Sequence, residues 1–541
     1  MPDTEIGSDD PAAVAPARPH GPAAGLAAGL AASRERAGWL VTAVPAVTAF
    51  VVGGYELGGP SLWRDEAYTK DAIGRSVSQL FAMLGNMDAV HGAYYLFMHV
   101  IAAVIGTSAV ALRFPSLCAM VIAAGFTAAI GRRTATLAQP GTGRRASRVS
   151  IPALTGLLSG LVFATAPLMT YYAQMARSYA IVTMFATIAT YLLLRAYPDG
   201  RWRYWSAYAA AVALTGLFNL FGLLIIVAHG VTLLLTGARR LPLRWLAACA
   251  AAAGVLSPLL AVASGQQQQI QWLVAPDFRT INRLVSDFAG SHALRAPVAL
   301  LVLVALAVAC LADNWRPLNP VAVALPWLVV PPVVLIAWSY DKPVYVERYV
   351  EFCLPALAIA VGAGLAGIYR LAAAVTVRRP RLGWLPAAVT GLVVLGLAVM
   401  LVAPQRAIRQ TAARPDNLRL ASAIVAAHEQ PGDVVFYIPY TMQVLGTGYP
   451  APFAKLRNIA LARSGVASAT LTGIEVASPA ALKSRFTDVR RVWVVTGASN
   501  YKFPVPMTPV DKEKMALIAG DGLHILHRWQ AGEVMLTLYG R

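Results

Sequence analysis

The chain has 541 residues, 57% of them hydrophobic and only 13% charged, with a mean hydropathy of +0.58. Soluble globular proteins carry about 25% charged residues, so this composition excludes an ordinary water-soluble enzyme. The net charge of +19 does not point to nucleic acid, because the Arg residues sit mostly in short loops between apolar segments, where positive charge reports membrane topology.

Residues 1–36 are rich in Ala, Pro and Gly and read as a disordered cytoplasmic tail. The first long apolar run starts at Trp39, behind Arg34 and Arg36, too late and too long for an ordinary cleaved signal peptide. A membrane-spanning helix needs about 20 mostly apolar residues. Runs of this kind cover 38–55, 112–131, 151–169, 178–195, 205–218, 220–236, 245–263, 296–312, 321–338, 352–371 and 384–403.

One further run, 91–106, decides the topology. Read as a span, it turns several Arg-rich loops outward: Arg132, Arg133, Arg144, Arg145 and Arg148; Arg201 and Arg203; Arg239, Arg240 and Arg244; Arg378, Arg379 and Arg381. Read as an interfacial helix, it leaves all of them cytoplasmic, as the positive-inside bias requires. The run is short and carries His91, Tyr94, Tyr95 and His99, which favours the interface. The expectation is a multi-pass protein with about eleven spans over 37–403, its N-terminus inside and its C-terminus outside.

From 404 to 541 the composition turns polar, with β-type runs at Val434–Ile438, Val492–Thr496 and Val534–Tyr539 and helical periodicity over Asn417–His428. This predicts a small extracytoplasmic α/β domain, long enough to bury a core of its own. The four cysteines (Cys118, Cys249, Cys310 and Cys353) fall in or beside apolar spans and imply no disulfide framework.

Four polar segments fall on the predicted outer face. The first, Ser61–Tyr68, holds Arg64, Asp65 and Glu66. A carboxylate there suits a general base for an acceptor hydroxyl, or a ligand for a divalent cation set against a phosphate. The same pair equally suits a helix N-terminus. The second, Asp88–Tyr95, brings His91, Tyr94 and Tyr95, groups that suit a lipid phosphate or a sugar and also an aromatic belt. The third, Tyr171–Tyr179, contains Gln174, Arg177 and Tyr179; an outward Arg at the lipid boundary suits a phosphate or snorkels. The fourth, Tyr340–Tyr349, carries Lys342, Glu347, Arg348 and Tyr349, with Glu347 a partner for either cation. The loop 265–294, with Gln266–Gln269, Trp272, Asp277 and His292, offers further sugar-contacting groups. Acidic and basic groups on one face, with spans almost free of charge, suit transfer between an anionic lipid donor and a hydroxyl acceptor. A lipid or solute transporter would place charge mid-span, and a non-catalytic envelope scaffold with a glycan-binding outer domain would not need the acidic pair.

Together these segments resemble the GT-C superfamily, membrane glycosyltransferases that use polyprenyl-phosphate sugars. It includes protein O-mannosyltransferases, lipid A aminoarabinose transferases and actinobacterial cell-wall mannosyl- and arabinosyltransferases. Trp63-Arg-Asp-Glu-Ala67 looks like their first-loop Asp–Glu motif, His91–Leu96 like the juxtamembrane helix that follows, and Arg113-Phe-Pro-Ser116 like the start of their second span. Tyr172–Tyr179 and Glu347–Tyr349 fall where similar motifs occur. The resemblance implies an inverting transfer with Asp65 as base, beside Glu66. Arg64, Arg113, Arg177, Lys342 and Arg348, with His91, Tyr94, Tyr95, Gln174, Tyr179, Glu347 and Tyr349, then surround the donor phosphate and sugar. It implies a polyprenyl donor, decaprenyl in an actinobacterial setting, and a glycan, lipid or protein acceptor of the envelope. Gly92-Ala93 stands where many relatives have Pro-Pro, and Met175 where many have an acidic residue, so no metal is assigned.

Overall fold

The computed structural model describes residues 22–139, 149–236, 242–266, 273–311, 317–499 and 507–541, with the side chains of 22–37 and 380 excepted. Of the sequence expectations, the tail residues 1–21 and the side chains of Arg34, Arg36, Arg144, Arg145, Arg148, Arg239, Arg240, Gln267–Gln269 and Trp272 lie outside these. Helix α1, Pro22–Gly54, begins inside the stretch read as an irregular tail. The region Val41–Arg541 forms one compact unit and holds every element after α1.

The eleven apolar runs are all helical. They correspond to the apolar part of α1, Gly38–Gly54, and to α5 (Ala109–Leu137), α6 (Ile151–Thr165) continued by α7 (Pro167–Ala173), α8 (Tyr179–Asp199), α9 (Trp202–Phe218), α10 (Leu224–Leu235), α11 (Leu243–Ser264), α13 (Arg295–Leu311), α14 (Pro320–Asp341), α15 (Leu354–Thr376) and α16 (Leu385–Ala407). Among the described residues six helices are long and apolar enough to cross a membrane alone, and α6 with α7 makes a seventh, bent by 59°. Pro167 at the head of α7 explains the bend, since it cannot continue the hydrogen-bond ladder of α6. The apolar parts of the remaining four are shorter among the described residues, and all eleven expected spans appear as helices.

Between α1 and α5 lie α2 (Arg64–Ile73), α3 (Val77–Asn86) and α4 (Gly92–Ile105). The 14 residues of α4 rise about 21 Å, short of a hydrocarbon core of about 30 Å. The 265–294 stretch, read as a loop, contains α12, Phe278–Ala289, capped by Asp277, whose side chain accepts from the Thr280 amide. Its apolar positions recur at helical spacing among Arg and Asn, a pattern diluted by the polar flanks.

Small residues bring the helices close. A Cβ on Gly364 of α15 would meet the Leu301 carbonyl of α13 at 2.1 Å, and one on Gly362 would meet the Ser159 backbone of α6 at 2.5 Å. Such contacts suit a lipid environment, where dispersion between close backbones replaces the hydrophobic effect. Within the bundle His229 is fully enclosed. It bonds Tyr208 Oη through Nδ1 and Thr190 Oγ1 through Nε2, each at 3.0 Å, while Trp245 Nε1 donates to the same Tyr208 oxygen. This network is satisfied and sits apart from the candidate site.

The C-terminal region opens on α17 (Leu418–His428) and contains β1 (Val434–Ile438), β2 (Leu461–Arg463), β3 (Ile474–Glu475), β4 (Arg491–Gly497), β5 (His524–Ala531) and β6 (Val534–Gly540). The main sheet has the order β1-β4-β6-β5, with β1 and β4 parallel and the rest antiparallel. Val435, Tyr437, Trp493 and Val495 point to one core; Val434, Phe436, Val492 and Val494 point to another on the opposite face, as the two-residue period of strands dictates. Of the four main strands only β5 escaped the sequence reading. It is an edge strand, exposed along most of its length, so no burial pattern was written into it.

Candidate active site

Helix α2 carries the Asp–Glu pair in its first turn, and the two carboxylates have separate environments. Glu66 is fully buried. Its Oε1 and Oε2 accept from Arg113 Nε and Nη2, each at 2.8 Å. Arg113 gives its other N–H groups to the carbonyls of Leu57, Pro60 and Ser61, each at 3.0 Å, so all five donors are engaged. Glu66 Oε1 also accepts the Ala176 amide at 2.9 Å. The pair thus welds α2 to α5, to the loop before it, and to the turn between α7 and α8. Ser116 adds to the weld by donating to the Met175 carbonyl at 2.7 Å.

Asp65 faces the other way. Its Oδ2 is buried without a hydrogen-bond partner and lies 3.8 Å from Arg348 Nη1. Its backbone carbonyl accepts from Arg177 Nη1 at 3.5 Å. Arg177 is almost fully buried; its Nη2 donates to His91 Nε2 at 2.8 Å and its Nη1 to Tyr95 Oη at 3.5 Å. Asp88, in the left-handed conformation at φ 62, closes the chain: Oδ1 accepts from His91 Nδ1 at 2.7 Å and Oδ2 from Tyr95 Oη at 2.5 Å. This network assigns the proton of a neutral His91 to Nδ1, leaving Nε2 as acceptor. Burial pushes the Asp88 carboxyl up, but His91, Arg177 and Tyr95 outweigh it and hold the group below the usual carboxylate range.

Tyr349 stacks on Phe221 with ring centroids 4.8 Å apart and receives the Arg348 guanidinium 5.8 Å from its own centroid. Burial pushes its phenol up to about 12. Tyr179 is buried and meets Tyr172 edge-on at 5.7 Å. Side-chain polar atoms that are buried and lack hydrogen-bond partners gather here: Asp65 Oδ2, Arg177 Nε, Ser178 Oγ and Arg348 Nε. Buried polar atoms without partners call for an explanation, and these four make this cluster the candidate site.

The sequence candidates therefore divide. Asp65, His91, Tyr95, Arg177 and Arg348 come together, flanked by Tyr179 and Tyr349, while Tyr94 is buried behind them with its ring 6.2 Å from that of Tyr95. Glu66 and Arg113 are enclosed against each other and present no surface to a substrate. Gln174 donates to the carbonyls of Gly53 and Tyr55 at 3.0 and 2.8 Å, latching the end of α1. Arg64, expected at the donor, instead pairs with Asp416 of the C-terminal region, Nη2 to Oδ1 at 3.0 Å. Glu347, expected to pair with Lys342 or Arg348, lies 4.0 Å from Arg283 of α12, and Lys342 stands exposed just beyond α14. Among the described residues no group of three or more His, Cys, Asp or Glu side chains is arranged to hold a metal ion.

The sequence reading opened its second segment at Asp88 without giving that residue a role, and it passed over Asp416. Asp88 had a signal, since it precedes His91 and Tyr95 by three and seven residues, one helical face. Asp416 had none, being 352 residues from its partner.

No protein-family model matches the sequence, and no curated protein matches it. Solved structures do. ArnT from Cupriavidus metallidurans in the apo state matches with a TM-score of 0.52 at 13% identity, over 93% of this chain and 98% of that one. The same protein bound to undecaprenyl phosphate matches at 0.52 and 13%, over 92% and 97%. The oligosaccharyltransferase of Archaeoglobus fulgidus tethered with an acceptor peptide gives 0.45 and 10%, over 85% and 69%. This chain is a mostly helical polytopic membrane protein that shares its fold with ArnT.

Proposed function

We propose that the protein is a glycosyltransferase that takes a sugar from a polyprenyl-phosphate donor and passes it to a hydroxyl of an envelope glycan, lipid or protein. The observation that carries this reading is the Asp65 carboxylate set against Arg348, with Arg177 bonded to its backbone carbonyl, on a helix that Glu66 and Arg113 hold rigid. Asp65 takes the proton from the acceptor hydroxyl as its oxygen attacks the anomeric carbon. The bond from that carbon to the phosphate oxygen breaks, and the polyprenyl phosphate leaves with the electron pair. Attack opposite the leaving group inverts the anomeric centre. Arg348 and Arg177 stabilise the charge growing on the leaving phosphate, and His91, Tyr95 and Asp88 fix Arg177. Glu66 supports this arrangement without touching substrate.

An open apolar groove lined by Phe50, Val51, Leu57, Val110 and Phe114 runs beside the Leu57–Ser61 loop that Arg113 holds and suits an isoprenoid chain. The fold neighbour ArnT has been crystallised with a lipid phosphate, undecaprenyl phosphate. Mannose is the preferred sugar and arabinofuranose the next, with decaprenyl phosphate as carrier in an actinobacterial membrane. Residues 37–403 form the catalytic membrane domain and 404–541 an extracytoplasmic domain. The basic loops lie in the cytoplasm, and the site opens outside.

The test is transfer of radiolabel from decaprenyl-phosphate mannose and decaprenyl-phosphate arabinofuranose to envelope acceptors, in membranes with and without the overexpressed protein. Transfer that depends on the protein, from either donor, supports the reading and names the sugar. Membranes with folded protein that transfer from neither donor to any supplied acceptor contradict it.

A further inference from the structure

The carboxylate of Asp65 has no hydrogen bond to steer its Oδ2, so its direction depends on where the backbone of α2 is held. The membrane side is fixed by Glu66. The opposite side is fixed by the C-terminal region, and the contact falls one residue before Asp65. Helix α2 begins at Arg64, and its N-cap residue, Trp63, makes no side-chain capping bond. Helix N-termini leave their first amides unsatisfied and draw negative charge. Here the acceptor comes from another part of the chain. Asp416 Oδ2 accepts from the Arg64 backbone amide at 3.1 Å, while Oδ1 takes Arg64 Nη2 at 3.0 Å.

Asp416 is itself immobilised. Its side chain is 1% exposed, and its backbone bridges Gly532 in the β5–β6 turn. On either side of it, the Glu533 amide donates to the Pro415 carbonyl at 2.7 Å and the Asn417 amide to the Ala531 carbonyl at 3.2 Å. Gly532 has φ +67, and a Cβ there would sit 2.3 Å from the Pro415 carbonyl, so this hairpin tip fits under Asp416 only as glycine. Ala67, one turn further along α2, belongs to the same core as Leu418, Val435 and Trp493. Lys70 donates to the Gly448 carbonyl at 2.8 Å.

We propose that Asp416 is a positioning residue for the transfer reaction: it caps α2 from the C-terminal region and so sets the Asp65 carboxylate against Arg348. This makes the C-terminal region part of the catalytic apparatus rather than an appended module. The proposal rests on Asp65 being the base.

The experiment compares wild type, Asp416→Ala, Asp416→Asn and Lys455→Ala, as full chains in proteoliposomes. Two readouts are taken: transfer kinetics, and amide hydrogen exchange over residues 64–68. Lys455 is exposed and pairs with Glu429 within the C-terminal region, so Lys455→Ala leaves the cap in place and keeps kcat close to wild type. Asp416→Ala lowers kcat by about tenfold to a hundredfold with KM for the donor unchanged, and speeds exchange at 64–68. Asp416→Asn, which keeps an acceptor for the amide and is the variant to use if the alanine form does not fold, falls between them in both readouts. A wild-type kcat in Asp416→Ala overturns the proposal, as does equal loss in Lys455→Ala. Wild type that transfers nothing defeats the functional reading instead, and exchange then still reports whether Asp416 holds α2.

Discussion

At the scale of single residues, neighbouring acids in one motif have opposite fates, and mutation separates them. Glu66 is half of a fully enclosed ion pair, and removing one partner of such a pair costs about 3–5 kcal/mol. Glu66→Ala and Arg113→Ala are expected to lower the melting temperature in detergent strongly and to lose activity through misfolding. Asp65→Asn, isosteric and already without a hydrogen bond at Oδ2, is expected to melt like wild type. Asp88 supplies a pH prediction. Its folded-state acidity lies below the unfolded value of about 3.9, so its contribution is present above that pH and is lost as pH falls through the folded value. Melting curves between about pH 7 and pH 3 should show an acid loss that is smaller in Asp88→Asn. The sequence made the chemistry-bearing segments visible because they are polar interruptions in an apolar chain. It left undecided which of Asp65 and Glu66 would be free, since that depends on Arg113, Ser61 and Ala176 converging from three separate segments.

At the scale of elements, composition and period were enough wherever a helix is apolar or a strand is buried. The runs at 434–438, 492–496 and 534–539 emerged as β1, β4 and β6, and Asn417 caps α17 by accepting the Leu420 amide at 3.1 Å. Short or amphipathic elements were harder: α12 was hidden by its polar face, and β5 by its exposure at a sheet edge. Close packing between helices leads to a second stability prediction. Gly364→Ala drives a methyl into the Leu301 backbone, which cannot step aside, and is expected to destabilise by about 1–3 kcal/mol. Gly391→Ala in α16 has nothing within 4 Å, and is expected to be neutral or slightly stabilising. Thermal melts of the two variants side by side check both.

At the scale of the whole molecule, the first loop and the C-terminal region form a single assembly over the bundle, stitched by Arg64–Asp416, Lys70–Gly448 and the Arg75 bonds to the carbonyls of Gly465 and Thr470. The site lies where this assembly meets α4, α8 and the segment before α15. Charge bias in the loops supports the proposed orientation, with that side outside the cell. A cysteine at the exposed Lys512, in a chain whose native cysteines are replaced, is expected to react with a membrane-impermeant maleimide in intact cells. Reaction only after permeabilisation would reverse the topology and put the donor on the cytoplasmic leaflet.

Whether Asp65 is the base in a transfer from a polyprenyl-phosphate sugar is decided by comparing purified wild type with Asp65→Asn in proteoliposomes. With the donor that wild type uses, Asp65→Asn is expected to bind polyprenyl phosphate as wild type does and to transfer slower by a factor of about 10² to 10⁴. A folded Asp65→Asn that transfers at the wild-type rate would contradict that role.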